Sequence, residues 1–188
     1  MKGHIFILLE DFVSEVASDA LLYDALDACS FDTSQGFVRT ENYPDEHLVE
    51  LVGMVVDKMG ISLSQAHFGF GQWLYPKLTS LLPSHFTQHP HPAHVLQKLD
   101  FLHQIELKKL YPDAQPPAFQ YIPTSEYSAE LIYTSPRKLF DLVKGVLAGM
   151  STYYQVEITV EMQAHWRGDE NCARYLLTYS KQCQLQPE

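Results

Sequence analysis

Four side chains have the types and spacing to hold a small charged or metal-bearing group: His103, Tyr133, Ser135 and Arg137. His103 lies in Leu102-His103-Gln104-Ile105-Glu106-Leu107, where Leu96, Leu99, His103, Leu107 and Leu110 recur at spacings of three and four. That period puts the imidazole on the apolar face of a helix. A neutral imidazole in an apolar slot is the usual axial ligand of a heme iron. It also matches an ordinary core histidine bonded to a carbonyl. Tyr133, Ser135 and Arg137 alternate, so in extended chain they project to one side. Two hydroxyls and a guanidinium are donors suited to a carboxylate or phosphate. Ser135-Pro136 reads equally well as the N-cap and first residue of a following helix.

The elements that must position these residues follow from the hydrophobic period. Residues 2–17 form an apolar stripe through Ile5, Leu8, Leu9, Phe12, Val13 and Val16, and predict a helix. A second helix is expected over 19–29, and 31–44 reads as a loop. Asp45 can cap a helix to Met59, ended by Gly60. Ser62-Leu63-Ser64-Gln65 has the form of a capping box for a helix carrying Phe68, Phe70, Trp73, Leu74 and Leu78. Gly69, Gly71 and Pro76 weaken or kink that helix, and Pro83 breaks the pattern. Residues 84–94 hold His85, His89, His91 and His94 between prolines, which predicts a solvated loop rather than a metal site. The His103 helix spans 95–110 and is stopped by Pro112, Pro116 and Pro117. The period then falls to two. Strands are expected over 119–122, 127–135, 155–162 and 173–179, with a helix over 137–154 between the second and third and a turn at 168–171. A helical half followed by mostly hairpin-connected strands is an α+β class.

Composition narrows the chemistry. The chain has 188 residues and is 46% hydrophobic, enough to bury a core without disulfides. Its net charge of −10 disfavours nucleic acid and anionic membrane surfaces as partners. Cys29, Cys172 and Cys183 form no C-x-x-C spacing, which points to reduced thiols and a cytoplasmic protein. No secretory leader is expected, and no stretch approaches the roughly 20 apolar residues of a membrane span. No G-x-S-x-G, P-loop or H-E-x-x-H occurs, so no enzyme is expected.

Together, Leu102-His103 on a helix, Leu110-Tyr111-Pro112 followed by Pro116-Pro117, and Tyr133-x-Ser135-x-Arg137 resemble the H-NOX domain. This is the heme nitric oxide/oxygen binding domain, also found as the sensor of soluble guanylate cyclase. Met1-Lys2-Gly3, Phe68-Gly69 and the closing strands fit too, so the resemblance covers essentially the whole chain. It implies a single domain over 1–188, with a helical distal lobe over about 1–62 and a proximal lobe over about 63–188 bearing a four-stranded antiparallel sheet.

The resemblance also implies roles. The cofactor would be heme b, with His103 as the proximal iron ligand and Tyr133, Ser135 and Arg137 holding the propionates. Pro117 matches a proline that distorts the porphyrin, and Ile5 a residue pressing on the opposite face. Relatives that bind oxygen stably carry a tyrosine five positions beyond the arginine, where this chain has Leu142; two partners of that tyrosine align with Leu9 and Leu74. A pocket without donors favours nitric oxide, and carbon monoxide, over oxygen. Nitric oxide would break the iron–His103 bond and signal to a partner. In stand-alone bacterial members that partner is typically a histidine kinase or a cyclic-di-GMP synthase or phosphodiesterase. Zinc is not expected. Some relatives carry a Cys/His cluster in the closing strands, but only Cys172 and His165 remain near it, with Phe140 and Ala164 at the other positions. The alternative is a heme-free interaction or metal- or redox-binding regulatory module of the same fold.

Overall fold

The computed structural model describes residues 1–80 and 89–183. The chain divides into two compact units, Met1–Phe70 and Gly71–Glu188. The expected break at Pro83 and the placement of His85 lie outside the described residues.

The first unit is helical: α1 (Gly3–Val16), α2 (Asp19–Asp27), α3 (Asp45–Met59) and the first turns of α4 (Leu63–Thr79). Its core gathers Phe6, Leu9, Val13, Leu22, Ala25, Leu51 and Val55, the apolar stripe of each helix. The Phe6 ring stacks on Phe37 at 4.4 Å, and Phe31 stacks on His47 at 4.1 Å. Asp45 is the first residue of α3 rather than its cap, and its carboxylate receives the Met1 ammonium at 2.7 Å. Gly60 ends α3 at φ 64°, the left-handed cap that a glycine supplies at least cost. The capping box forms as expected: Ser62 N–H donates to Gln65 Oε1 at 2.8 Å, and Gln65 N–H to Ser62 Oγ at 3.2 Å.

The second unit is built on a four-stranded antiparallel sheet. Its strands are β1 (Ala118–Ser125), β2 (Ser128–Thr134), β3 (Ile158–Ala164) and β4 (Cys172–Tyr179), in the order β1-β2-β4-β3. In register, Phe119 pairs with Tyr133 and Tyr133 with Ala173, while Tyr121, Leu131 and Tyr175 form the next row. These rows point inward, where Leu131, Tyr133, Ala173 and Tyr175 are almost fully buried with Leu147 and Met150. A helical run over 93–110 consists of α5 (Ala93–Gln97), α6 (Leu99–Phe101), a π-helical stretch (Leu102–Leu107) and α7 (Lys108–Leu110). The long helix α8 (Phe140–Tyr154) crosses from β2 to β3. An α+β fold is what the sequence pattern predicts, and the four-stranded antiparallel sheet is what the resemblance implies.

Four further expectations need correction. The helix expected from Arg137 begins only at Phe140, because 135–138 closes a turn in which Lys138 N–H bonds Ser135 O at 3.1 Å and Lys138 takes φ 50°. The strand expected from Gln155 begins at Ile158, since α8 runs to Tyr154 and Gln155 caps it at φ 52°. The helix expected from Val95 begins at Ala93. His91, read as part of a solvated loop, is 5% exposed and has both ring nitrogens engaged.

Gly71 has a different purpose from the weakening that its place in a helix suggests. A Cβ there would sit 2.2 Å from Leu142 O, and one at Gly149 would sit 2.6 Å from Gln72 O. The two glycines let the backbones of α4 and α8 touch. Leu74 and Leu142 are carried on this closely packed helix pair.

Candidate heme site

His103 lies inside the π-helical stretch. Such single-turn widenings are rare and cluster at functional sites. The His103 Nδ1 is 3.0 Å from Leu99 O. A carbonyl can only accept, so Nδ1 carries the proton and the lone pair of the neutral ring sits on Nε2. Burial lowers the His103 pKa, against smaller opposing effects of the Leu99 bond and Asp100. A neutral imidazole with its outer nitrogen tied to a carbonyl is the standard preparation of a metal ligand. Its ring packs on Phe119 at 5.3 Å, and Phe119 packs in turn on Tyr133 at 5.4 Å.

Tyr133 ends the buried row of β2 and is 2% exposed. Its hydroxyl accepts from Leu139 N–H at 3.3 Å. Burial raises its pKa, so it remains a neutral donor; the bonds to Ser135 and Leu139 and the charge of Arg137 oppose that shift without reversing it. Ser135 is also 2% exposed, and its Oγ accepts from Arg137 N–H at 3.3 Å. Ser135 therefore shapes the 135–138 turn and does not cap α8. Arg137 is half-buried, and its guanidinium donates to Gln115 O at 2.6 Å. The strand ends at Thr134, so the turn over 135–138 rather than continued alternation sets where Arg137 stands.

Pro117 is half-buried in the irregular segment 114–117 that leads into β1. Its carbonyl accepts from Gln104 Nε2 at 3.1 Å, and Asp100 Oδ1 receives Phe119 N–H at 2.9 Å. Sequence reasoning missed both contacts. The signal was there: Asp100 and Gln104 are polar residues four apart on the helix turns that flank His103.

The expected distal residues fall in both units. In the first, Ile5 is half-buried and Leu9 is 4% exposed on α1. In the second, Leu74 is buried on α4 and Leu142 half-buried in the first turn of α8. All four are aliphatic and offer no side-chain donor.

His165 and Cys172 lie at the two ends of the β3–β4 connection. The His165 ring contacts Phe140 at 6.1 Å, and Cys172 is a buried free thiol. Among the described residues no group of three or more His, Cys, Asp or Glu is arranged to hold a metal ion. No described helix is long and apolar enough to cross a membrane.

This donor set fits a heme. The residue types are those a heme needs: a neutral imidazole with an unprotonated Nε2, the rings of Phe119 and Tyr133 packed in series beside it, and two hydroxyls and a guanidinium at and after the end of β2. The Haem-NO-binding family pattern matches residues 2–162, and the chain belongs to that family of heme-binding gas-sensor domains. Its fold is that of solved H-NOX domains. It is similar to the unliganded Fe(II) H-NOX protein from K. algicida (16% identity, TM-score 0.85, covering 99% of this chain and 100% of that one). It is similar to an I5F mutant of T. tengcongensis H-NOX (20% identity, TM-score 0.87, covering 97% and 99%). It is also similar to an oxygen-binding H-NOX domain related to soluble guanylate cyclases (19% identity, TM-score 0.84, covering both chains fully). No curated protein matches it.

Proposed function

We propose that this protein is a heme-based sensor of nitric oxide that also takes carbon monoxide and excludes stable oxygen binding. His103 is the proximal ligand of a heme b. Tyr133, Ser135 and Arg137 hold its propionates, and Pro117 packs against its face. When bound, the heme held by His103 would supply a ferrous iron able to take a diatomic gas. The observation that carries the reading is the hydrogen bond between His103 Nδ1 and Leu99 O, which leaves the Nε2 lone pair available to a metal.

Gas selection rests on Ile5, Leu9, Leu74 and Leu142. Bound oxygen carries partial negative charge and needs a donor in a dry pocket, whereas nitric oxide depends on one far less. None of these four side chains can donate. Release of His103 from such an iron when nitric oxide binds would let the helical run over 93–110 adopt a second packing that a signalling partner reads. That partner is a histidine kinase or a cyclic-di-GMP synthase or phosphodiesterase in the cytoplasm of a bacterium. The domain itself is not catalytic.

Absorption spectra of the hemin-reconstituted, reduced protein before and after nitric oxide test this reading. A five-coordinate nitrosyl spectrum is expected. A nitrosyl spectrum that stays six-coordinate removes His103 release, and a protein that cannot take up hemin removes the whole reading.

A further inference from the structure

The segment Gln115-Pro116-Pro117 joins the two halves of the site. At one end Arg137 donates to Gln115 O at 2.6 Å; at the other Gln104 donates to Pro117 O at 3.1 Å. Arg137 belongs to the turn after β2, and Gln104 follows His103 in the π-helical stretch. Between these anchors run two prolines. Each fixes its own φ, and neither has an N–H for a sheet or helix ladder. The segment is therefore short and stiff, lacks regular secondary structure, and is held through backbone carbonyls by side chains on either side.

We infer that residues 115–117 act as a strut between the anion-holding turn and the His103 turn, with Gln104 as the positioning residue that fastens the strut to His103. This deepens the proposed function and rests on His103 being the iron ligand. Because Gln104 neighbours His103 in sequence, its amide fixes the distance between the His103 turn and the Pro117 ring. His103 and the Pro117 ring, which would lie against a bound heme, are thereby coupled to move as one piece. A displacement of Arg137 is therefore passed through Gln115–Pro117 and Gln104 to the His103 turn. Gln104 bonds the Pro117 carbonyl rather than its ring, so the interaction does not require the cofactor and is present in the apoprotein.

Gln104→Met keeps the side chain's length and removes its donor, while Gln104→Lys restores a donor that can reach the same carbonyl. Two measurements read the strut. In the reduced, reconstituted protein, resonance Raman gives the iron–histidine stretching frequency, and stopped-flow absorption gives the rate at which the six-coordinate nitrosyl spectrum becomes five-coordinate. The Gln104→Met variant is expected to shift the stretch and change the rate by about two- to tenfold, the scale of one net hydrogen bond, with Gln104→Lys returning both toward wild type. In the apoprotein, amide exchange at Phe119 and through Leu102–Leu107 is expected to quicken in Gln104→Met by a similar factor. A Gln104→Met protein with unchanged stretch, rate and exchange overturns the strut while leaving the heme reading intact. Equal losses in Gln104→Met and Gln104→Lys also overturn it, since the donor is then irrelevant. If wild type takes no hemin, the proposed function fails, and apoprotein exchange still decides whether the strut exists.

Discussion

His91 and Lys181, ninety positions apart in sequence, are joined by a bond of 3.1 Å from His91 Nε2 to Lys181 O. On the ring's other side Ala93 N–H donates to Nδ1 at 3.2 Å. A carbonyl must receive a proton and an amide must give one, so only the neutral Nε2–H tautomer satisfies both. His91 thereby clasps the end of the chain after β4 to the start of the helical run that carries His103. Its ring also meets Tyr179 edge-on at 4.8 Å.

That clasp predicts a pH dependence of stability. Burial lowers the His91 pKa from 6.5; the charge of Lys181 lowers it further, and the bond to the Lys181 carbonyl opposes the shift. The unfolded chain then binds the proton more tightly than the native one. The stabilisation is complete above about pH 6.5 and is lost as pH falls through that value toward the lowered native pKa. His4, His94 and His103 are shifted in the same direction. Urea unfolding of the apoprotein should show falling stability as pH drops from slightly alkaline to mildly acidic. His91→Gln, which can still donate to Lys181 O but does not titrate there, should flatten that fall. An equally steep fall in the variant would remove His91 as a cause.

The helix glycines predict opposite signs for one substitution. At Gly71 a Cβ would meet Leu142 O at 2.2 Å and Val146 N at 2.8 Å, and backbone atoms cannot swing aside. Alanine's better helix propensity returns about 1 kcal/mol, but overpacking of this kind costs typically about 1–3 kcal/mol and more when the backbone must part. At Gly53, inside α3, nothing lies within 4 Å of the place a Cβ would take. Gly71→Ala should lower the unfolding midpoint, while Gly53→Ala should raise stability by roughly 0.5–1 kcal/mol. Denaturant melts of the two variants give the comparison.

Leu142→Tyr would place a hydroxyl donor on the first turn of α8, where the wild-type side chain has none. The reconstituted ferrous variant should bind oxygen stably in air-saturated buffer, read by absorption, whereas wild type should not. Stable binding by wild type would mean that the aliphatic set Leu9, Leu74 and Leu142 does not govern selection.

Most of this architecture follows from local rules that the sequence states openly. The capping box at Ser62 and Gln65, the left-handed stop at Gly60 and the alternation of Leu131, Tyr133 and Ser135 are short-range, and they fold as written. What stayed hidden depends on partners far along the chain. Gly71 looks like a helix breaker until Leu142 is placed beside it, and His91 looks solvated until Lys181 arrives. The π-helical widening at His103 leaves no periodic signature, because one displaced turn does not change the apolar stripe around it. Arg137 stands outside α8 because Lys138 adopts φ 50°, a conformation that a lysine seldom takes and that its sequence does not announce.

Ser135 offers the sharpest separation between a structural and a cofactor role. It is buried, and its Oγ receives Arg137 N–H in the turn that follows β2. Ser135→Ala removes that acceptor and should lower apoprotein stability by about 1 kcal/mol, the usual net value of one such bond. If shaping the turn were its whole task, hemin would leave the variant at the wild-type rate. If its hydroxyl also donates to a propionate, the loss is a hydrogen bond to a charged group, roughly 1.5–3 kcal/mol, and hemin transfer to a competing apoprotein should be accelerated on the order of tenfold or more. Denaturant melts of the apoprotein and hemin-transfer kinetics of the reconstituted form, taken on one variant, measure the two roles independently. A lowered melt midpoint with unchanged transfer would return Ser135 to the turn alone.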